Sequence, residues 1–191
     1  MQRTRFGLTL VGCFFASLLV GCMPKMTLAE MKEMMPKKPA ELEHLNAFVG
    51  KWEGTGEVKF AMLDEPTPLK MTGRSESRWS GDGWYIVEES HMTMDGFDPM
   101  QSLGTWTYDA GAKKYRSTWV DSMGSSGIGE ATRDAKTGEW KWSARSYGAW
   151  GESKMTGTIR FIDKDTMEWN MAEHMGFSKT AEFKGTSRRI R

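Results

Sequence analysis

The chain has 191 residues, with 26 basic and 25 acidic side chains for a formal net charge of +1. The two signs are interspersed rather than blocked, which excludes a polyanion-binding groove and leaves no nucleic-acid partner to expect. Both cysteines, Cys13 and Cys22, lie near the N-terminus, so the rest of the chain holds no thiol, no disulfide and no cysteine-based metal site.

Arg3 and Arg5 open the chain, and Phe6 to Val20 is an apolar run of about fifteen residues. That is too short, and wrongly flanked, for a stable transmembrane helix. The run ends in Leu19-Val20-Gly21-Cys22, which resembles the lipobox of bacterial type II signal peptides. The resemblance implies that residues 1–21 are a signal peptide, that cleavage leaves Cys22 first, and that Cys22 carries acyl chains on its sulfur and its new amine. Two or three chains, at ~0.8 kcal/mol per buried CH₂, anchor stably where one does not. Met23 follows the cysteine where the bacterial sorting pattern places Asp for inner-membrane retention. The resemblance therefore implies an envelope protein held to the outer membrane and facing the periplasm.

Residues 22–38 read as a lipidated tether. The segment is polar, rich in methionine (Met26, Met31, Met34, Met35) and ends in Pro36-Lys37-Lys38-Pro39. A helical turn or two is expected around Leu28 to Met35, lying on lipid or on the domain; a methionine segment that collects metal is the sharper alternative. Residues 39–191 then form the domain. Leu42, Leu45, Phe48 and Val49 recur at steps of three and four between Pro39 and Gly50, which predicts a short amphipathic helix capping something apolar. His44 falls on its polar side and is expected to be solvated.

Beyond Gly50 the pattern is β. Strands are expected near 51–60, 70–80, 84–92, 102–109, 114–122, 127–134, 139–146, 154–162, 166–174 and 179–188. Leu103 to Met123 shows the grammar best: Trp106 and Tyr108 alternate with threonines, Asp109 to Lys113 supply turn chemistry, and Tyr115, Ser117, Trp119 and Asp121 share one face. The Gly- and Ser-rich run after Gly124 is the weakest strand signal. Short connections throughout predict an all-β, antiparallel up-and-down barrel of about ten strands with a short N-terminal capping helix. A sandwich is the alternative, but its crossings need longer connections.

Gly50-Lys51-Trp52, directly after the short helix, resembles the Gly-x-Trp that opens the first strand of lipocalins. In that superfamily, the calycins, a basic residue near the end of the barrel packs over the tryptophan. The resemblance implies this barrel-closing role for Trp52 with Arg188 or Arg189. The segment Leu103 to Asp109, then Lys113-Lys114-Tyr115 and Thr118 to Met123, together with Val49 to Trp52, is similar to the bacterial family of domains of unknown function numbered 1579. The resemblance covers roughly residues 40–190 and implies an envelope-associated, lipocalin-like barrel with no assigned activity.

No motif names a reaction. Metalloprotease, serine-hydrolase, phosphate-loop and dinucleotide signatures are all missing, and Gly54-Thr55-Gly56 lies within a strand pattern. No nucleophile, base and orienting group can be named together, so no catalytic residue is assigned. Glu88, Glu89 and Asp121 form an acid–base pair only if their strands meet, and strand carboxylates normally face water. His91 and His174 sit beside methionines at strand ends and could meet at one rim. That would make a haem or copper site from imidazole and thioether; two unrelated surface histidines are the plainer account. Met62, Met71, Met92, Met94, Met155, Met167 and Met171 suit an adaptable apolar cavity, with Trp84, Trp106, Trp119, Trp142 and Trp169 lining or flooring it. Otherwise these side chains simply fill the barrel. The leading expectation is a lipid-anchored barrel that binds a small hydrophobic ligand, with Met92 and those five tryptophans as its contacts. The alternatives are a filled barrel that docks an envelope partner of unknown identity, and the haem or soft-metal site.

Overall fold

The computed structural model describes residues 25–191; the expected signal peptide and the lipidation site Cys22 lie outside them. The described residues divide into two units, one up to Lys37 and one over Lys38–Arg191. In the first, helix α1 (Leu28–Glu33) starts at a capping box: Thr27 accepts from the Glu30 amide while the Glu30 carboxylate accepts from the Thr27 amide. Met31 and Met34 on and beside it are exposed.

The second unit opens with a helix over Ala40–Ala47 that is 3-10 rather than α. The sequence spacing explains the difference. Leu42, Leu45 and Phe48 step by three, and a turn of three residues stacks such a row on one side. The terminal hydrogen bonds follow suit, Leu42 N–H to Pro39 O and Phe48 N–H to Leu45 O. All three side chains are buried, against Ile86, Tyr115, Ala131 and Trp140. Burial at ~1.5–3 kcal/mol for each apolar side chain is what docks the segment, since the short helix has little stability of its own.

Ten strands follow: β1 (Gly50–Phe60), β2 (Leu69–Trp79), β3 (Tyr85–Met94), β4 (Met100–Asp109), β5 (Lys114–Asp121), β6 (Ser126–Arg133), β7 (Trp140–Gly148), β8 (Gly151–Asp163), β9 (Thr166–Met175) and β10 (Ser178–Ile190). Each pairs antiparallel with its sequence neighbours, and β1 pairs with β10, from Lys51 opposite Ile190 to Phe60 opposite Ala181, closing the barrel. Closure removes every free edge. Period-two alternation sorts the side chains. On β3, Ile86, Glu88, Ser90, Met92 and Met94 turn inward while Tyr85, Glu89, His91 and Thr93 turn out. On β5, Tyr115, Ser117, Trp119 and Asp121 turn inward while Thr118 and Val120 turn out.

The two ends of the barrel differ. The 3-10 helix plugs one end with an aromatic floor: the Phe48 ring lies 5.0 Å from Trp140, 5.2 Å from Phe161 and 6.0 Å from Trp106. At the same end Tyr115 is buried. Its hydroxyl donates to the Glu41 carbonyl at 3.1 Å and lies 2.6 Å from Nδ1 of His44, so His44, though exposed, is held by the plug rather than freely solvated. Burial first, then the neighbouring Tyr108, pushes the Tyr115 hydroxyl up to about 12. Among the described residues of this unit, none plugs the other end.

Candidate ligand-binding cavity

Between the floor and the open end lies a cavity of about 620 Å³. Small inward residues make the room. Large rings then occupy only part of it, by lying on glycines. A Cβ at Gly127 would sit 2.1 Å from the Trp119 ring, and one at Gly129 2.9 Å from Trp142 Nε1. Trp169 lies against Gly56 and Gly185 in the same way. The indole N–H groups are also satisfied inside: Trp142 donates to Ser117 Oγ at 3.2 Å and Trp169 to Ser187 Oγ at 3.1 Å. Nearer the open end, Met71, Met92, Met94, Phe60 and Phe183 form a second apolar cluster around Val58 and Ala181.

One wall is polar. Ser75 on β2 faces Ser90 on β3, Ser90 faces Ser102 on β4, and Ser102 faces Asp121 on β5, so four inward polar residues form a row across four strands. Ser90 and Ser102 hydroxyls lie 2.6 Å apart. One level closer to the plug, Glu88 points inward between Ser77 and Gly104. Ser77 Oγ donates to its carboxylate at 3.3 Å. Glu88 is half-buried and faces the cavity, and burial raises its carboxyl above the usual range against the weaker pull of Ser77. The opposite wall, on β8, β9 and β10, carries Met155, Ile159, Met167, Trp169, Met171 and Phe183.

The basic residues bordering the cavity among those described are Arg74 and His91. Both belong to the outward set, and Arg74 is paired with Glu53 at 2.6 Å. Two further inward carboxylates stand nearer the open end. Asp121 accepts from the Met123 and Ser125 amides, and Glu173 accepts from Ser153 at 2.6 Å. The loop tips around the opening carry exposed apolar side chains: Met62, Leu63, Phe97, Met123, Trp150 (72 % exposed) and Phe177. A second concavity, about 680 Å³, lies on the outer wall of β1 and β7–β10. It is bordered by charged groups such as Lys59, Lys141 and Glu182 and by the Lys184–Glu57 pair at 2.7 Å.

The residues singled out in the sequence fall in three places. Met92, Trp106, Trp119, Trp142 and Trp169 border the cavity, as do the seven strand-associated methionines from Met62 to Met171. Trp84 does not; it lies in the turn before β3 at the plugged end and packs on the floor beneath the 3-10 helix. Its position at a strand start on the plug side removes it from the interior. Trp52 is buried, its Nε1–H donates to Phe48 O at 2.8 Å, and the Arg189 guanidinium stacks 4.3 Å from its ring. Arg188, one residue earlier, faces outward. His91 and His174 also face outward, on strands four steps apart around the barrel, an arc of roughly 19 Å at the usual strand spacing. They form no joint ligand pair, and among the described residues no group of three or more His, Cys, Asp or Glu is placed to hold a metal. Glu89 is exposed and paired with Arg78 at 2.9 Å, so it does not join Glu88.

Glu88 and the serine row are the residues that sequence reasoning set aside. The signal was present. Glu88 and Ser90 share parity with Ile86 and Met92, and the apolar members of that set fix which face is inward.

Comparison with known proteins gives the following. The sequence model of a family described as "Protein of unknown function (DUF1579)" matches residues 37–187. No curated protein matches the chain by sequence. Among solved structures, Rv2717c from M. tuberculosis is similar with a TM-score of 0.61 and 12 % identity, covering 81 % of this chain and 100 % of that one. The S-type phycobiliprotein lyase CPES from Guillardia theta is similar with a TM-score of 0.55 and 10 % identity, covering 78 % and 92 %. At these identities the likeness is one of fold.

Proposed function

We propose that this chain, which belongs to the DUF1579 family of proteins of unknown function, binds a small hydrophobic molecule inside its barrel. The observation that carries the reading is the cavity of about 620 Å³, plugged at one end and open through an apolar rim at the other. Ligand sites usually fall within ~300–1,000 Å³ and are mostly apolar with a few placed polar groups. A barrel that merely filled itself would leave no such space. Thioethers and indoles on one wall supply adaptable apolar contact, and the serine row on the other supplies orientation. The lipobox-like Leu19 to Cys22 and the tether behind it support an envelope lipoprotein, held at the outer membrane by acyl chains on Cys22.

Native mass spectrometry of the mature chain carrying Cys22→Ser is the test. A small organic mass that copurifies and leaves on denaturation is the expected result. A bare protein mass that takes up no amphiphile on incubation would exclude the reading. A second role has one observation in its favour. Leu103, Val120, Ile128 and Tyr147 are exposed on adjoining outer faces of β4–β7, and such a patch suits a protein contact in addition to the ligand.

A further inference from the structure

The interior is asymmetric in charge, and this selects among hydrophobic ligands. Three carboxylates face inward, and no ammonium, guanidinium or imidazole does so among the described residues that border the cavity. The carboxylates are not equivalent. Asp121 accepts two backbone amides on one oxygen, and Glu173 accepts the Ser153 hydroxyl at 2.6 Å. Glu88 receives a single long hydrogen bond from Ser77, on a wall with further hydroxyls from Ser75, Ser90 and Ser102. That single bond leaves Glu88 with acceptor capacity that a guest in the cavity can use.

We infer that the ligand is an apolar amine, seated with its nitrogen on Glu88 and its hydrocarbon body against the Met155–Trp169–Phe183 wall. The inference rests on the ligand-binding reading above and narrows it. An anionic amphiphile such as a fatty acid would bring a charge into an enclosed site that has no cation to receive it and already holds acidic groups. An amine brings the missing donor. On binding, the ammonium keeps its protons and donates an N–H to a Glu88 carboxylate oxygen, a charge-assisted bond; any proton held by the carboxyl leaves to solvent. Across β2 and β4, Glu88 is faced by Ser77 and Gly104, neither of which titrates, so the charge that meets the ammonium belongs to Glu88.

The test compares three probes with the same tail: dodecylamine, dodecanol and dodecanoic acid. Each is titrated into the mature Cys22→Ser protein below its aggregation threshold and followed by tryptophan fluorescence. The amine should bind at least about tenfold more tightly than the other two, the size of one hydrogen bond to a charged group. Glu88→Gln, nearly the same shape, should remove that preference. Glu88→Asp, which keeps the charge but withdraws it by a methylene, should retain part of it. If all three probes bind alike, or the Gln variant keeps the preference, the amine assignment is wrong and the ligand-binding reading survives. If none of the three binds, the reading itself falls, and the assignment with it.

Discussion

Glu88 is where a single side chain most affects the behaviour of the molecule. Its carboxyl is raised by burial, so between the ordinary carboxylate range and its folded value the folded state holds a proton that the unfolded state has lost. Stability then falls as pH rises through that interval. Below the ordinary range both states are protonated and the penalty is gone. Glu88→Gln should therefore leave the denaturation midpoint nearly unchanged at pH 4 and raise it at pH 8. Urea unfolding at the two pH values checks this, and an equal midpoint shift at both would contradict it. The residue was legible in part. Its parity with Ile86 and Met92 places it inside, yet the general rule that strand carboxylates face water argues the other way, and only the serines beside it explain why the rule fails here.

At the scale of elements, the attachment of the plug depends on Arg189. Its guanidinium donates to the Ala47 carbonyl at 2.9 Å and to the Val49 carbonyl, which would otherwise be unpaired at the helix end. It also reaches the Lys164 carbonyl, pairs with Asp165 at 3.2 Å and stacks on Trp52. Gly50, at φ +123°, lets the guanidinium pass: a Cβ there would meet it at 2.6 Å. Arg189→Ala should cost about 2–3 kcal/mol by combining stranded carbonyls with the lost ring contact, measured by urea unfolding. Arg189→Lys should recover little, because a point charge cannot serve several carbonyls and a ring face together. β6 follows a related logic. Its glycines made it the weakest strand in the sequence, yet Gly127 is small because the Trp119 ring occupies the place of its side chain. Gly127→Val should cost about 1–3 kcal/mol as an overpacked core and should alter the near-UV circular dichroism of Trp119. Composition shows the glycines but not the ring across the strand, so the strand was harder to read than its neighbours. The two strands of the hairpin from Leu103 to Met123 were legible from their alternation, but the left-handed turn residue is Lys113, at φ 54°, rather than Gly111.

For the whole molecule, the issue is why closing ten strands leaves a binding space rather than a packed core. No single element decides it. The volume is what remains after fifty or so inward positions, on the order of five per strand, are summed over their sizes, and a sequence read strand by strand shows the alternation without the sum. For the same reason the sequence did not separate lining from flooring: the composition of Trp84 suits either, and its height along the barrel puts it with the floor. The space can be removed from one position. Gly104 faces inward beside Glu88, and a Cβ there meets nothing closer than the Thr118 carbonyl at 3.4 Å, an ordinary contact. Gly104→Leu thus directs its side chain into the cavity from a position that accommodates a Cβ. Replacing a strand glycine also removes an entropic weakness of up to ~1 kcal/mol, which offsets the burial of new atoms in an enclosed space. The variant should melt within a few degrees of the parent and lose at least about tenfold in affinity for dodecylamine, because the new isobutyl group occupies the ground in front of Glu88. The two measurements must be read together. Unchanged binding with unchanged melting would mean that the ligand sits elsewhere than beside Glu88. Lost binding with an intact melt would separate the cavity from the fold, showing that the barrel stands on its plug and its closure while the space above the floor is kept open for a guest.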